Sequence, residues 1–284
     1  MTDWIRKGTG EEIKERESNG VTYLYFPALE ETGLVRHAFS TRMGGVSKGC
    51  FSSMNFSFSR GDDPDDVREN YRRMASAIGV EYDSFVVSEQ EHTTNLLTVT
   101  EELKGSGVLF ERPYRAIDGL LTCTKGITLV TFYADCIPLY FLDPVKEAIA
   151  LSHSGWKGTL SEMGRITAER MKHEFGSRPE DLIVCIGPGI CRDCYEIGEE
   201  VAEKFRKGFT AGNADEILSG YHDGHWQLDL WHANELVLLK AGVLPQHIHI
   251  SDICTRCNSD RLYSHRASGE RRGNLAAFLE LKLS

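Results

Sequence analysis

The 284-residue sequence has no apolar run long enough to cross a membrane. Its longest apolar stretches, Ile127 to Tyr133 and Ile137 to Leu142, have the length of strands and are separated by Ala134, Asp135 and Cys136, far short of the roughly 18 residues of a spanning helix. Positive charge is scarce: 32 Lys plus Arg stand against 42 Asp plus Glu, a formal net charge of -10. A nonspecific binder of nucleic-acid phosphates is thereby disfavoured, and neither nucleic acid nor membrane is expected as a partner. There is no repeat at a period of 20 to 50 residues, no low-complexity tract and no Pro/Ser linker, so one domain spanning residues 1-284 is expected. Met1 to Glu17 is charged and lacks the apolar core of a secretory signal or anchor, which points to a cytoplasmic protein. Eight cysteines would suit a disulfide framework only in a short secreted chain; here they read as thiols, metal ligands or nucleophiles.

What is present is a globular composition, 41% hydrophobic and 26% charged, in a chain long enough to bury a core without disulfide or metal staples. Strand signals fall at Val21 to Phe26, Val35 to Ser40, Phe85 to Ser88, Leu96 to Thr100, Ile127 to Tyr133, Ile137 to Leu142, Ala148 to Ser152, Leu182 to Ile186, His247 to Cys254 and Leu275 to Leu283. A helix is expected from the acidic Asp62-Asp63-Pro64 start to Gly79, with Val67, Tyr71, Met74, Ala75 and Ile78 as its apolar stripe. A second is expected over Thr159 to Phe175, a third around the stripe Ile197/Val201/Phe205, and a fourth ending at Ala241 before Gly242. Elements alternate irregularly and several strands have hairpin spacing. The fold class expected is therefore α+β (mixed α/β): a mixed β-sheet core covered by helices.

Three metal-capable side chains sit at strand ends or in adjoining loops: His92, Cys136 and His153. Imidazole and thiolate are ligands that zinc prefers, and three protein ligands leave a fourth position open. Ala134-Asp135-Cys136 interrupts two strands, and His153 precedes Gly155-Trp156-Lys157-Gly158 at a strand-to-helix turn, where reactive groups are often displayed. The bland alternative is a small buried thiol and two ordinary histidines.

The segments Ser40 to Ser47, Gly61 to Pro64, Ile117 to Leu120, Ala134 to Pro138, His153 to Gly158, Ile186 to Ile190, Tyr195 to Gly198 and Cys254-Thr255 together resemble the YfiH-type family, the laccase-domain or polyphenol oxidase family, over residues 35-278. The resemblance implies a zinc-dependent purine nucleoside phosphorylase with adenosine deaminase activity, with His92, Cys136 and His153 as metal ligands and purine nucleosides, methylthioadenosine among them, and inorganic phosphate as partners. Three positions depart from the usual pattern: Thr93 stands where a glycine is common, Lys157 where an arginine is, and Ser264-His265-Arg266-Ala267 where Ser-Tyr-Arg-Arg is.

Arg42 beside Gly44-Gly45 suggests a phosphate clamp, a guanidinium fork next to free backbone amides. Asn55 and Asp118 are candidates for holding a ribose or a base, although such residues also make turns. With Cys136, Arg42 and Asp118 form the expected catalytic set. Other outcomes stay open at this level: a copper-dependent phenol oxidase, a thiol hydrolase with Cys136 as nucleophile and His153 or His92 as base, or a noncatalytic zinc module. Copper is possible in place of zinc, but a multicopper oxidase needs about four His-x-His pairs and the chain offers one, His247-Ile248-His249. Cys191-Arg-Asp-Cys194 and Cys254-Thr-Arg-Cys257, whose intervening Arg192, Asp193, Thr255 and Arg256 are expected to face solvent, are either a second, structural metal site, a redox or disulfide pair, or independent buried thiols. Association into a homo-oligomer is compatible with all of these.

Overall fold

The computed structural model describes residues 3–283. Strands and helices are numbered in chain order. The first sheet runs β1 (Lys14–Ser18), β2 (Val21–Tyr25), β3 (Val35–Ser40), β15 (Leu275–Leu281), β7 (Thr128–Tyr133), β4 (Phe85–Val87). The second runs β14 (Ile248–Ile250), β10 (Ile183–Ile186), β8 (Ile137–Asp143), β9 (Ala148–Ser154), β6 (Gly119–Thr122), β5 (Leu96–Thr98). Both are mixed: β4 with β7, β5 with β6 and β10 with β14 are parallel pairs, and the remaining ladders are antiparallel. A third, small sheet comprises β11 (Glu196–Gly198), β13 (His225–Leu228) and β12 (Leu218–His222).

The nearly continuous apolar runs follow from burial on both faces. Along β8 and β9, Leu139, Phe141, Ala148 and Ala150 point to one side, whereas Tyr140, Leu142, Ile149 and Leu151 point to the other. The second set meets Leu24, Phe39, Leu129 and Leu279 of the first sheet, so the two large sheets pack face to face. Helices α4 (Met163–Phe175), α5 (Glu199–Gly208) and α7 (Leu230–Lys240) cover the outer face of the second sheet through Met171, Phe205 and Leu238. Helix α2 (Pro64–Ile78) covers the outer face of the first through Val67, Tyr71 and Met74, against Ala276 and Phe278. The fold is mixed α/β in four layers. No helix among the described residues is long and apolar enough to cross a membrane.

Helix α2 begins and ends where its sequence signals lie: the Asp63 carboxylate accepts from the Asp65 N–H at 2.9 Å, and Gly79 closes it at φ 74°. The helix expected over Thr159 to Phe175 is two, α3 (Trp156–Leu160) and α4, because Glu162 adopts φ 60° between them while its carboxylate binds Arg165 and Lys240. Ile197 lies in β11 rather than in the helix that follows, since Gly198 is the N-cap of α5.

Candidate metal centre

His153 is on β9, inside the sheet stack and only 4% exposed. Its Nδ1 lies 2.9 Å from Asp118 Oδ1, which assigns the Nδ1 proton to that bond and leaves Nε2 as the free, basic nitrogen. The same Asp118 carboxylate accepts from the backbone N–H groups of Glu91, His92 and Thr93 at 2.9–3.0 Å and from Thr93 Oγ1. One buried acid thus shapes the loop that carries His92 and orients His153. Burial by itself would raise its pKa, but the hydrogen bond and charge of His153, with the N–H donors, bring it down to about 2.

Cys136 immediately precedes β8 and follows Asp135, whose φ of 94° turns the chain sharply between β7 and β8. That backbone is held at both carboxylate oxygens of Asp135: Thr255 Oγ1 donates at 2.6 Å and the Arg266 N–H at 2.7 Å. The turn aims Cys136 Sγ to within 4.0 Å of His92 Nε2. The ligand atoms of His92, Cys136 and His153 all lie within 4.8 Å of one another. Burial opposes the thiolate, yet the positive charge of His153, with hydrogen bonds from His153 and His92, lowers the Cys136 pKa to about 6. His153, against the same desolvation, is raised to about 9 by Cys136 and Asp118. Two imidazoles and an anionic sulfur fit zinc, and the thiolate–imidazolium tendency is the charge pattern that a cation replaces on binding.

The trio lines a cavity of about 1350 Å³, larger than most small-molecule sites. Phe58, Phe110, Phe132, Tyr133, Trp156 and Tyr195 supply aromatic surface, and Arg60, Arg112, Arg115, Arg266 and Arg272 supply positive charge. Arg272 is 6% exposed and its Nε has no hydrogen-bond partner among the described residues. Burial, and then Arg60 nearby, lower its pKa to about 10. Its Nη1 donates to Gly273 O and Asn274 Oδ1, which fixes the guanidinium at the cavity wall.

Arg42 and Asn55 are not among the residues that line the cavity holding His92, Cys136 and His153. The Arg42 guanidinium donates to the carbonyls of Ser52 and Ser259 and lies 4.7 Å from the Tyr263 ring centroid. The Gly45 and Val46 N–H groups are already bonded to Ser53 Oγ and Asn70 Oδ1. Gly44 and Gly45 serve close packing instead, since a Cβ would fall 2.4 Å from the Gly20 carbonyl oxygen and 2.1 Å from that of Ser53, respectively. Asn55 is fully buried: its amide donates to Ser57 O and Asp62, and its Oδ1 accepts from the Ser57 and Asn274 N–H groups. Asp118 is equally buried, and its carboxylate is bonded to the His92 N–H and to His153. His249 is bonded to Glu12 and His247 ends a short 3-10 turn, so the His-x-His pair builds no centre. Thr255, expected to face solvent, is buried on Asp135. Arg272 carries no sign in the sequence of its burial, because nothing local marks an arginine that packing will enclose.

Fold and site together define a mixed α/β protein in which two histidines and one cysteine, a set that could hold a metal ion, converge in a basic, aromatic cavity. Residues 36–282 match the family described as multi-copper polyphenol oxidoreductase laccase, and the chain belongs to that family. It is 37% identical over 257 residues to a purine nucleoside phosphorylase of Deinococcus radiodurans, covering 90% of this chain and 93% of that one. It is 32% identical over 238 residues, 83% of this chain and 90% of the other, to adenosine deaminase RL5 of an unknown prokaryotic organism. The crystal structure of YlmD from Geobacillus stearothermophilus superposes with a TM-score of 0.88 at 31% identity, over 96% of this chain and all of that one.

Proposed function

We propose that the protein is a zinc-dependent purine nucleoside phosphorylase acting on adenosine, inosine and related nucleosides such as methylthioadenosine, and that the same centre deaminates adenosine. The observation that carries this is the convergence of His92, Cys136 and His153 within 4.8 Å in a cavity that also offers aromatic and arginine side chains. The names of the relatives support the same reactions. Zinc held by Cys136 Sγ and the two histidines would supply Lewis acidity, which hydrolytic deamination uses to make water nucleophilic near neutral pH. Asp118 keeps the proton on His153 Nδ1 and so keeps Nε2 available as a ligand. Phe132, Tyr195 and Trp156 offer faces for a purine, and Arg272, with Arg60 and Arg266 on the same cavity wall, positive charge for phosphate. Multicopper phenol oxidation is less well supported, because among the described residues only one cluster of metal-capable groups contains histidine.

Incubation of zinc-loaded protein with adenosine and phosphate is expected to release adenine and ribose 1-phosphate, with inosine as a second product. Arg272→Ala should raise the phosphate concentration required for phosphorolysis well before it affects inosine formation, because only phosphorolysis uses the anion as a co-substrate. Zinc-loaded protein that yields neither adenine nor inosine overturns the assignment.

A further inference from the structure

The fold brings together four cysteines that the histidine–cysteine centre does not use. Cys191 and Cys194 bracket a short 3-10 turn after β10, and Cys254 and Cys257 lie on the turn that follows β14. Their strands are a parallel pair, with Cys185 beside His249 and Ile186 beside Ile250, so the two Cys-x-x-Cys turns emerge from the same end of the sheet. All four Sγ atoms lie within 4.8 Å of one another, and Cys194 Sγ is 3.5 Å from Cys257 Sγ. A tetrahedral ion with metal–sulfur bonds of about 2.3 Å requires sulfurs about 3.8 Å apart. The cluster therefore has the dimensions of a four-thiolate shell, and all four cysteines are free thiols.

We infer that Cys191, Cys194, Cys254 and Cys257 bind a second zinc ion, one with a structural role. The backbone N–H groups of Cys191 and Cys257 both point at Cys254 Sγ, at 3.3 and 3.4 Å. Such donors favour a thiolate over a thiol. Lys7, held 2.8 Å from Asp193 between the first two cysteines, brings a cation to the side of a shell that would carry a net negative charge. Cys191 and Cys254 are buried and none of the four lines the main cavity. Four protein ligands leave no open position, which is the mark of a structural rather than a catalytic site.

The location says what the ion would hold. Between the ends of β10 and β14 and the elements that follow them, the chain has little ladder of its own. Here the Thr255 N–H donates to Gly189 O, the Ile190 N–H donates to Asp135 O, and Asn258 exchanges hydrogen bonds with the Ile5 backbone. Thr255 Oγ1 in turn holds Asp135, the residue before Cys136. Zinc at the four cysteines would fasten the 187–195 and 251–258 loops to each other, and with them the turn that presents Cys136 and the wall that carries Ile190 and Tyr195. Its loss should loosen this end of the molecule without unfolding the sheets, whose core is independent of it.

Protein purified without added metal is expected to carry two zinc ions per chain by elemental analysis, one of which Cys136→Ala removes. That variant leaves the four-cysteine cluster intact, so its remaining zinc should show an all-sulfur first shell by X-ray absorption. Cobalt substitution should give it strong thiolate-to-cobalt charge transfer. Cys257→Ser in the otherwise native protein should lose the other zinc and expose the 187–195 and 251–258 segments to hydrogen exchange while the metal at His92, Cys136 and His153 stays. If Cys257→Ser proves insoluble, the Cys136→Ala protein decides alone. A Cys136→Ala protein that folds but retains no zinc after incubation with it overturns the inference, as does a shell containing nitrogen or a pair of disulfides among these four cysteines. Failure of the nucleoside assay would leave this result untouched, because the metal count is read without substrate.

Discussion

The residue that organises the centre is Asp118, which is not itself within reach of a metal. It satisfies three consecutive backbone N–H groups and one imidazole N–H, so its negative charge fixes both the path of the His92 loop and the tautomer of His153. Asp118→Asn keeps the shape but loses the charge and one acceptor. Zinc affinity at the centre formed by His92, Cys136 and His153, measured by competition with a chromophoric chelator, is expected to fall by about 10- to 100-fold. An unchanged affinity would show that His153 is oriented by packing alone. The three metal-capable side chains were legible in the sequence because ligand chemistry belongs to the residue type. The surroundings of Arg42 were not, because its contacts with Ser259 and Tyr263 are made across more than two hundred positions of sequence. Free guanidinium and spent guanidinium look alike until the chain folds.

At the scale of elements, the strand-to-helix turn at Gly155 is the tightest constraint on the centre. A Cβ there would lie 2.8 Å from Cys136 Sγ and 3.3 Å from His92 Cδ2, although the backbone φ of -77° is open to any residue. Gly155→Ala should therefore displace two ligands and lower bound zinc and turnover together. Gly212→Ala, in helix α6 (Ala211–Ile217), meets nothing within 4 Å and should leave both unchanged while adding about 0.5–1 kcal/mol of stability. Elemental analysis and thermal melts of the two variants distinguish a ligand effect from a general cost of added methyls. Elements were legible where an apolar period was present. Strand β1 escaped notice because Lys14–Ser18 is polar throughout and pairs only along the edge of its sheet. The β12–β13 hairpin did carry a signal, Asp223-Gly224, and both residues take the positive φ that a two-residue hairpin turn demands.

At the scale of the whole molecule, the two large sheets are joined by polar groups as well as by apolar packing. Tyr140 of the second sheet donates to the Ala38 carbonyl of the first at 2.9 Å, and within the first sheet His37, on β3, accepts through Nε2 from the N–H of Phe26, the residue after β2. Burial lowers the His37 pKa from 6.5 to about 4. The unfolded chain thus binds a proton near pH 6.5 that the folded chain resists until about pH 4, so stability is full above 6.5 and is lost as pH falls through this window. The difference amounts to about 3 kcal/mol, and His37→Gln should flatten the dependence of denaturation midpoint on pH between these limits. An identical slope in the variant would assign the acid sensitivity to other groups. The mixed class of fold was legible from the irregular alternation of elements, whereas the pairing order was not, because register between distant strands leaves no local trace. That order has a temporal side. Strand β15, the last strand among the described residues, lies between β3 and β7, so a growing polypeptide has nothing to bridge those two strands until residues 275–281 have been made. The first sheet therefore closes only after all its other strands exist, through pairings between residues more than a hundred positions apart, which makes its completion a late, long-range step.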